Sequence, residues 1–136
     1  MRAVRPLVAS LAAAVLGATG CGQSDDRDTV RTTTQRFLAA YSAHEGMTAC
    51  GALSQDTRKE LESQERRRCP DAIGQVQLEP GAVTKVHVTL TNAKVDLASG
   101  ESLFLSEQAA GWRISAVGCK PQGTPKAEPF DCELQA

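Results

Sequence analysis

Aromatic side chains are scarce in this 136-residue chain: three phenylalanines, one tyrosine and one tryptophan. Phe37, Tyr41, Phe104, Trp112 and Phe130 are too few, and too core-like in their patterns, to form a stacking platform for sugars or single-stranded bases. A strong charge of either sign is missing as well. With 15 basic and 16 acidic residues the net charge is −1, which removes the electrostatic basis for nucleic-acid binding. Histidines number two, His44 and His87. No Cys-x-x-Cys pair occurs, so no zinc spacing is present. No GxSxG elbow surrounds a serine, and no glycine-rich loop is available to cradle phosphate. No motif calls for a metal or a cofactor. No internal repeat is visible. No apolar run reaches the roughly 20 residues that span a bilayer. What is present is a 41% hydrophobic, 23% charged composition with five cysteines. That is enough for one folded domain, and it points to an oxidising compartment.

The N-terminus is ordered in three zones. Arg2 and Arg5 charge the first residues, residues 7–16 are apolar and uncharged, and residues 17–20 are all small. Charged, apolar, then small is the order of a secretory signal peptide. The two arginines are not adjacent, so a twin-arginine signal is not indicated. Cys21 follows at once. Ala18-Thr19-Gly20-Cys21 resembles the bacterial lipobox, although Ala18 stands where that family usually has leucine. The resemblance implies cleavage before Cys21 and a diacylglyceryl group on its sulfur. Two acyl chains hold a protein firmly where one does not, so the expected location is the outer face of the cytoplasmic membrane. The alternative is ordinary cleavage near Gly20 with a free thiol at Cys21. Without Arg2 and Arg5 the basic residues fall to 13 against 16 acidic ones, a net charge of −3. Residues 1–20 are thus read as the signal and 21–27, polar throughout after Cys21, as a flexible tether.

Beyond the tether the period is helical. Val30, Phe37, Leu38 and Tyr41 share one face, with Thr34 between them. The predicted helix covers 28–45, capped by Asp26 or Asp28 and stopped at Gly46. A short apolar turn over 47–53 holds Cys50. A charged surface helix over 55–65 follows a Ser54 cap, and a third begins at Cys69-Pro70-Asp71, where proline suits the first turn. After Gly81 the period becomes two. Val86, Val88 and Leu90, then Ala93, Val95 and Leu97, then Leu103 and Leu105, then Trp112, Ile114 and Ala116 mark antiparallel strands with one buried face. Parity puts His87 and Asp96 on the outer face, together with Phe104 and Val117. The Pro-rich stretch 119–136 is expected to be irregular and pinned by a disulfide.

Helices before strands imply an α+β domain over 28–118, with the N-terminal helices packed on a curved antiparallel sheet. The long opening helix, the shorter ones and the closing Gly111-Trp112-Arg113-Ile114-Ser115 string resemble the nuclear transport factor 2-like superfamily, in company with ketosteroid isomerase-like and polyketide cyclase-like proteins. Lipoproteins of this general type are common in actinobacteria. The resemblance implies a cone-like sheet around the first helix, often with an internal pocket, for which Tyr41, Phe37 and Trp112 are the candidate lining. It also implies that the sheet face often forms homodimers, with Phe104 and Val117 buried between two copies. In a monomer Phe130 and the tail would cover them instead.

Setting Cys21 aside leaves Cys50, Cys69, Cys119 and Cys132. An even number in an exported domain implies two disulfides; three pairings exist, and proximity favours Cys50 with Cys69 and Cys119 with Cys132. No catalytic set emerges. His44, beside Glu45, sits where a helix end favours a cation, and a lone Tyr41 without a pocket acid is not a mechanism. The basic run Arg66-Arg67-Arg68, next to Glu60, Glu62 and Glu65, reads as a self-neutralising face; contact with anionic headgroups is the alternative. The sequence therefore predicts a non-catalytic, membrane-anchored extracytoplasmic domain that binds a small apolar ligand or a protein partner. The rivals are an isomerase- or cyclase-like enzyme working in the cone and a homodimerising structural lipoprotein.

Overall fold

A computed structural model describes residues 22–122 and 130–136. The signal string, Cys21 and residues 123–129 lie outside the described residues. The helices come first: α1 Gly22–Ser42, α2 Gly46–Ala52, α3 Gln55–Glu65 and α4 Cys69–Ala72, the last running into a 3-10 turn, Ile73–Gln75. The strands follow: β1 Val83–Thr89, β2 Asn92–Leu97, β3 Ser102–Gln108, β4 Gly111–Pro121 and β5 Phe130–Gln135. They pair antiparallel in chain order. The class is α+β, as the residue periods predict. The sheet is open, with β1 and β5 as its edges.

Helix α1 buries Val30, Thr34, Phe37 and Leu38 along one stripe. Its start differs from expectation. Residues 22–27, read as a tether, are the first turns of the helix, and Asp26 and Asp28 lie inside it instead of capping it. Two interactions stabilise this polar opening. Asp25 places negative charge at the positive helix end. Asp26 accepts the Trp112 indole N–H through Oδ1 at 3.2 Å. The other end also differs. The helix stops at Ser42, the chain reverses through His44 at φ 58°, and Gly46 opens α2 instead of closing α1. Glycine is required at 46 because a Cβ there would overlap the Pro70 carbonyl, so α2 and α4 meet backbone to backbone.

Ser54 caps α3 as predicted, its Oγ accepting the Thr57 N–H at 3.1 Å. The Thr57 hydroxyl in turn reaches the Ser115 carbonyl at 3.1 Å, which ties α3 to β4. Leu61 is the one large apolar side chain that α3 buries.

The inner sheet face carries Val95, Leu103, Leu105 and Ile114, all buried against the helices. Lys94, Asp96 and Phe104 alternate with them and face outward. Strand β4 breaks this alternation. Leu105 pairs with Ile114 but Phe104 pairs with Ala116, so Ser115 is an extra, bulged residue. A bulge reverses the parity beyond it. Val117, expected on the outer face with Phe104, is therefore fully buried in the core and pairs with Leu134. A second correction concerns the tail. It is not irregular throughout: β4 continues to Pro121, and Phe130–Gln135 returns as β5. Gly118, at φ 65°, lies between the Gln77 carbonyl and Glu133, where a Cβ does not fit.

Helix α1 spans the sheet from end to end. Its first turns meet Trp112 at the β3–β4 turn. Near its last turn the Tyr41 hydroxyl donates to the Val76 carbonyl at 2.7 Å. The chain after Val76 passes Gly118 and reaches the β2–β3 turn, where the Glu79 N–H donates to buried Glu101 at 3.1 Å. Lys120 completes that clamp, 3.3 Å from the other Glu101 oxygen.

Candidate functional site

The residues expected to line an interior pocket are engaged in packing. Phe37 and Trp112, two of the three residues expected to line a pocket, are buried members of one apolar cluster with Leu38, Leu53 and Ile114. Val88 packs against it from the sheet edge. Tyr41, the third, is half-buried beside Phe37, with ring centroids 6.2 Å apart. Its hydroxyl is committed to the Val76 carbonyl. It borders only a shallow 150 Å³ hollow shared with His44.

The outer sheet face carries a polar group centred on Asp96. Oδ1 receives the Lys94 ammonium at 2.9 Å and the Ser102 hydroxyl at 2.8 Å, and His87 Nε2 lies 3.8 Å from Oδ2. Partial burial acts to raise the Asp96 pKa. Hydrogen bonds from Lys94 and Ser102, with the charge of Lys94 and of His87, outweigh it and hold the carboxyl below its ordinary 3.8. The serine donates to a carboxylate whose pKa is held below its ordinary value, which makes it a weak base for activating a hydroxyl. Beside it Phe130 stands edge-on to Phe104, centroids 5.1 Å apart, with the Lys94 ammonium 4.9 Å above the Phe130 ring. The tail strand thus packs Phe130 against Phe104, which stays half-buried. A 280 Å³ cleft remains between Phe104, Phe130 and Ala116.

The cysteines are joined as Cys50–Cys69 and Cys119–Cys132. The second bond fastens β5 to β4 across paired positions. The first fastens α4 to α2 and forms part of the wall of the most spacious crevice described, about 470 Å³. Three helices enclose it. From α3 come Gln55, Arg58, Lys59 and Glu62, which follow the i, i+3, i+4, i+7 spacing of a single helical face. Arg68 approaches from the start of α4, and exposed Met47 borders it from α2.

Sequence reading missed this cluster. It saw α3 as a charged surface helix and took Arg66-Arg67-Arg68 as the only dense basic group. The structure divides that run: Arg68 lines the crevice, while Arg66, at φ 52°, turns the chain out of α3. The one available signal was the stripe of Gln55, Arg58, Lys59 and Glu62 facing a disulfide partner.

Among the described residues no helix is long and apolar enough to cross a membrane, and no group of three or more His, Cys, Asp or Glu side chains is placed to hold a metal. No family model, no curated protein and no solved structure matches the chain.

Proposed function

We propose that the mature protein is a lipid-anchored, extracytoplasmic, non-catalytic domain that works by binding or interaction, with Cys21 as the acylated residue. The observation that carries this reading is the uninterrupted order of charged, apolar and small residues ending at Cys21. Two disulfides in the folded domain suit an oxidising compartment. Burial of Phe37, Leu38 and Trp112 in the core supports this reading over the isomerase- or cyclase-like rival, which needs pocket-facing groups. A nuclear transport factor 2-like relationship remains part of this proposal, supported by the order of helices and strands and by the closing Gly111–Ser115 string.

The test is membrane fractionation of cells expressing the full chain and Cys21→Ser. The native chain should sediment with membranes and gain the mass of a diacylglyceryl cysteine. The variant should be released. A variant that stays membrane-bound, or a native chain with an unmodified Cys21, refutes the anchor.

A further inference from the structure

The charges around the α2–α3–α4 crevice do not cancel. Of the carboxylates near it, Glu62 accepts the Cys69 backbone N–H through Oε1 at 2.9 Å. Asp56 lies 3.9 Å from Lys59, and Glu60 takes the Gln64 amide at 2.9 Å. Among the described residues, neither Arg58 nor Arg68 has a carboxylate within ion-pair distance. Two guanidinium groups and one ammonium therefore border a single hollow in which one carboxylate, already engaged, opposes them.

Both walls are fixed. Arg58 is on a capped helix tied to β4 through Thr57. Arg68 immediately precedes Cys69, which is bonded to Cys50, and its carbonyl accepts the Asp71 and Ala72 N–H groups. Positions held in this way lose less backbone freedom on binding than two arginines on mobile loops. Guanidinium groups present paired donors that match phosphate oxygens bidentately. The crevice volume lies in the range of small-ligand sites. Met47, 77% exposed at the rim, offers an apolar contact to the organic part of a ligand.

We infer that this crevice is a binding site for a phosphate-bearing molecule, with the phosphate held between Arg58 and Arg68. The inference is independent of the lipid anchor. The phosphate can belong to a soluble monoester or to a lipid headgroup, since both present the same oxygens.

The test uses the full chain in detergent and an arginine-selective dicarbonyl reagent, phenylglyoxal, with modification measured peptide by peptide by mass spectrometry. The probes are inorganic phosphate, glycerol 3-phosphate and micelles doped with phosphatidylglycerol. Arg58 and Arg68 should react more slowly with a probe present, while Arg36 and Arg113 should not change. Protection by glycerol 3-phosphate assigns a soluble ligand, and protection by doped micelles alone assigns a headgroup; either supports the site. Arg58→Gln should weaken binding about tenfold, the equivalent of one charge-assisted contact. Gly51 borders the crevice on α2, and a Cβ added there meets nothing within 4 Å, so substitution does not disturb the packing around the backbone. Gly51→Glu should abolish protection with an unchanged melting temperature, and Gly51→Ala should retain it. Equal reaction rates with and without all three probes overturn the proposal. So does protection spread evenly over all arginines, or protection that survives in Gly51→Glu.

Discussion

The space under the sheet and the corner formed by α2, α3 and α4 are built in opposite ways. Under the sheet, large apolar side chains from α1 and four strands pack on one another in one buried cluster. At the corner, α3 contributes Leu61 and little else apolar, and α4 is a single turn. A disulfide and a backbone contact at Gly46 hold that corner together with small buried side chains, Ala49, Cys50, Cys69 and Ala72. The difference teaches where to look for function in this fold. A region that is held by packing has spent its side chains on one another. A region held by covalent and backbone contacts leaves its side chains facing solvent and free to meet a ligand.

Substitutions can break this contrast, and their expected costs rank it. Phe37→Ala, at the centre of the packed region, should destabilise the fold by about 3–5 kcal/mol, the cost of removing a buried aromatic. Denaturant unfolding measures it, and a loss under about 1 kcal/mol would mean the interior is looser than its burial indicates. Replacing Cys50 and Cys69 together by serine should cost about 3 kcal/mol by the chain-entropy estimate for a loop of this size. Hydrogen exchange should then show α4 opening before β3 and β4. Uniform opening would mean that the corner is not a separate region. Gly46→Ala should cost about 1–3 kcal/mol, as overpacking does, since the new methyl meets backbone that cannot swing away. Its thermal melt should fall while the packed core still excludes hydrophobic dye.

The smallest effect is expected on the outer sheet face. The Asp96 carboxyl titrates lower in the folded chain than its ordinary value. It therefore adds stability above that value, and the contribution is lost as pH falls through the lowered one. Asp96→Asn should flatten the acid limb of stability against pH and leave neutral-pH stability within a few tenths of a kcal/mol. An unchanged acid limb would show that Lys94 and Ser102 do not favour the charged carboxylate.

Much of the fold could be read in the residues, and the failures share a cause. The stripe Val30, Thr34, Phe37, Leu38 announced α1, and the Ser54 cap and the Pro70 start marked α3 and α4. Strand alternation correctly put His87 and Asp96 outside. Each of these signals is local. The early start of α1 depends on Trp112, 86 residues away, donating its indole N–H to Asp26. The burial of Val117 depends on a bulge at Ser115, and the flanking Ile114 and Ala116 give no warning of it. Strand β5 was hidden because prolines ahead of it suggested an irregular tail, although Phe130, Cys132 and Leu134 alternate. The crevice was missed for a related reason: Arg58 and Arg68 are ten positions apart, and only the helix reversal held by Cys50–Cys69 makes them neighbours.

The bonds at the two ends of α1 also bear on how the molecule responds to a pull. Helix termini ordinarily fray, and a frayed end acts as slack. Here the opening turns are bonded to β4 through Trp112, and the far end to the segment before β1 through Tyr41 and Val76. A displacement applied at Gly22 is thus passed through the helix to the sheet.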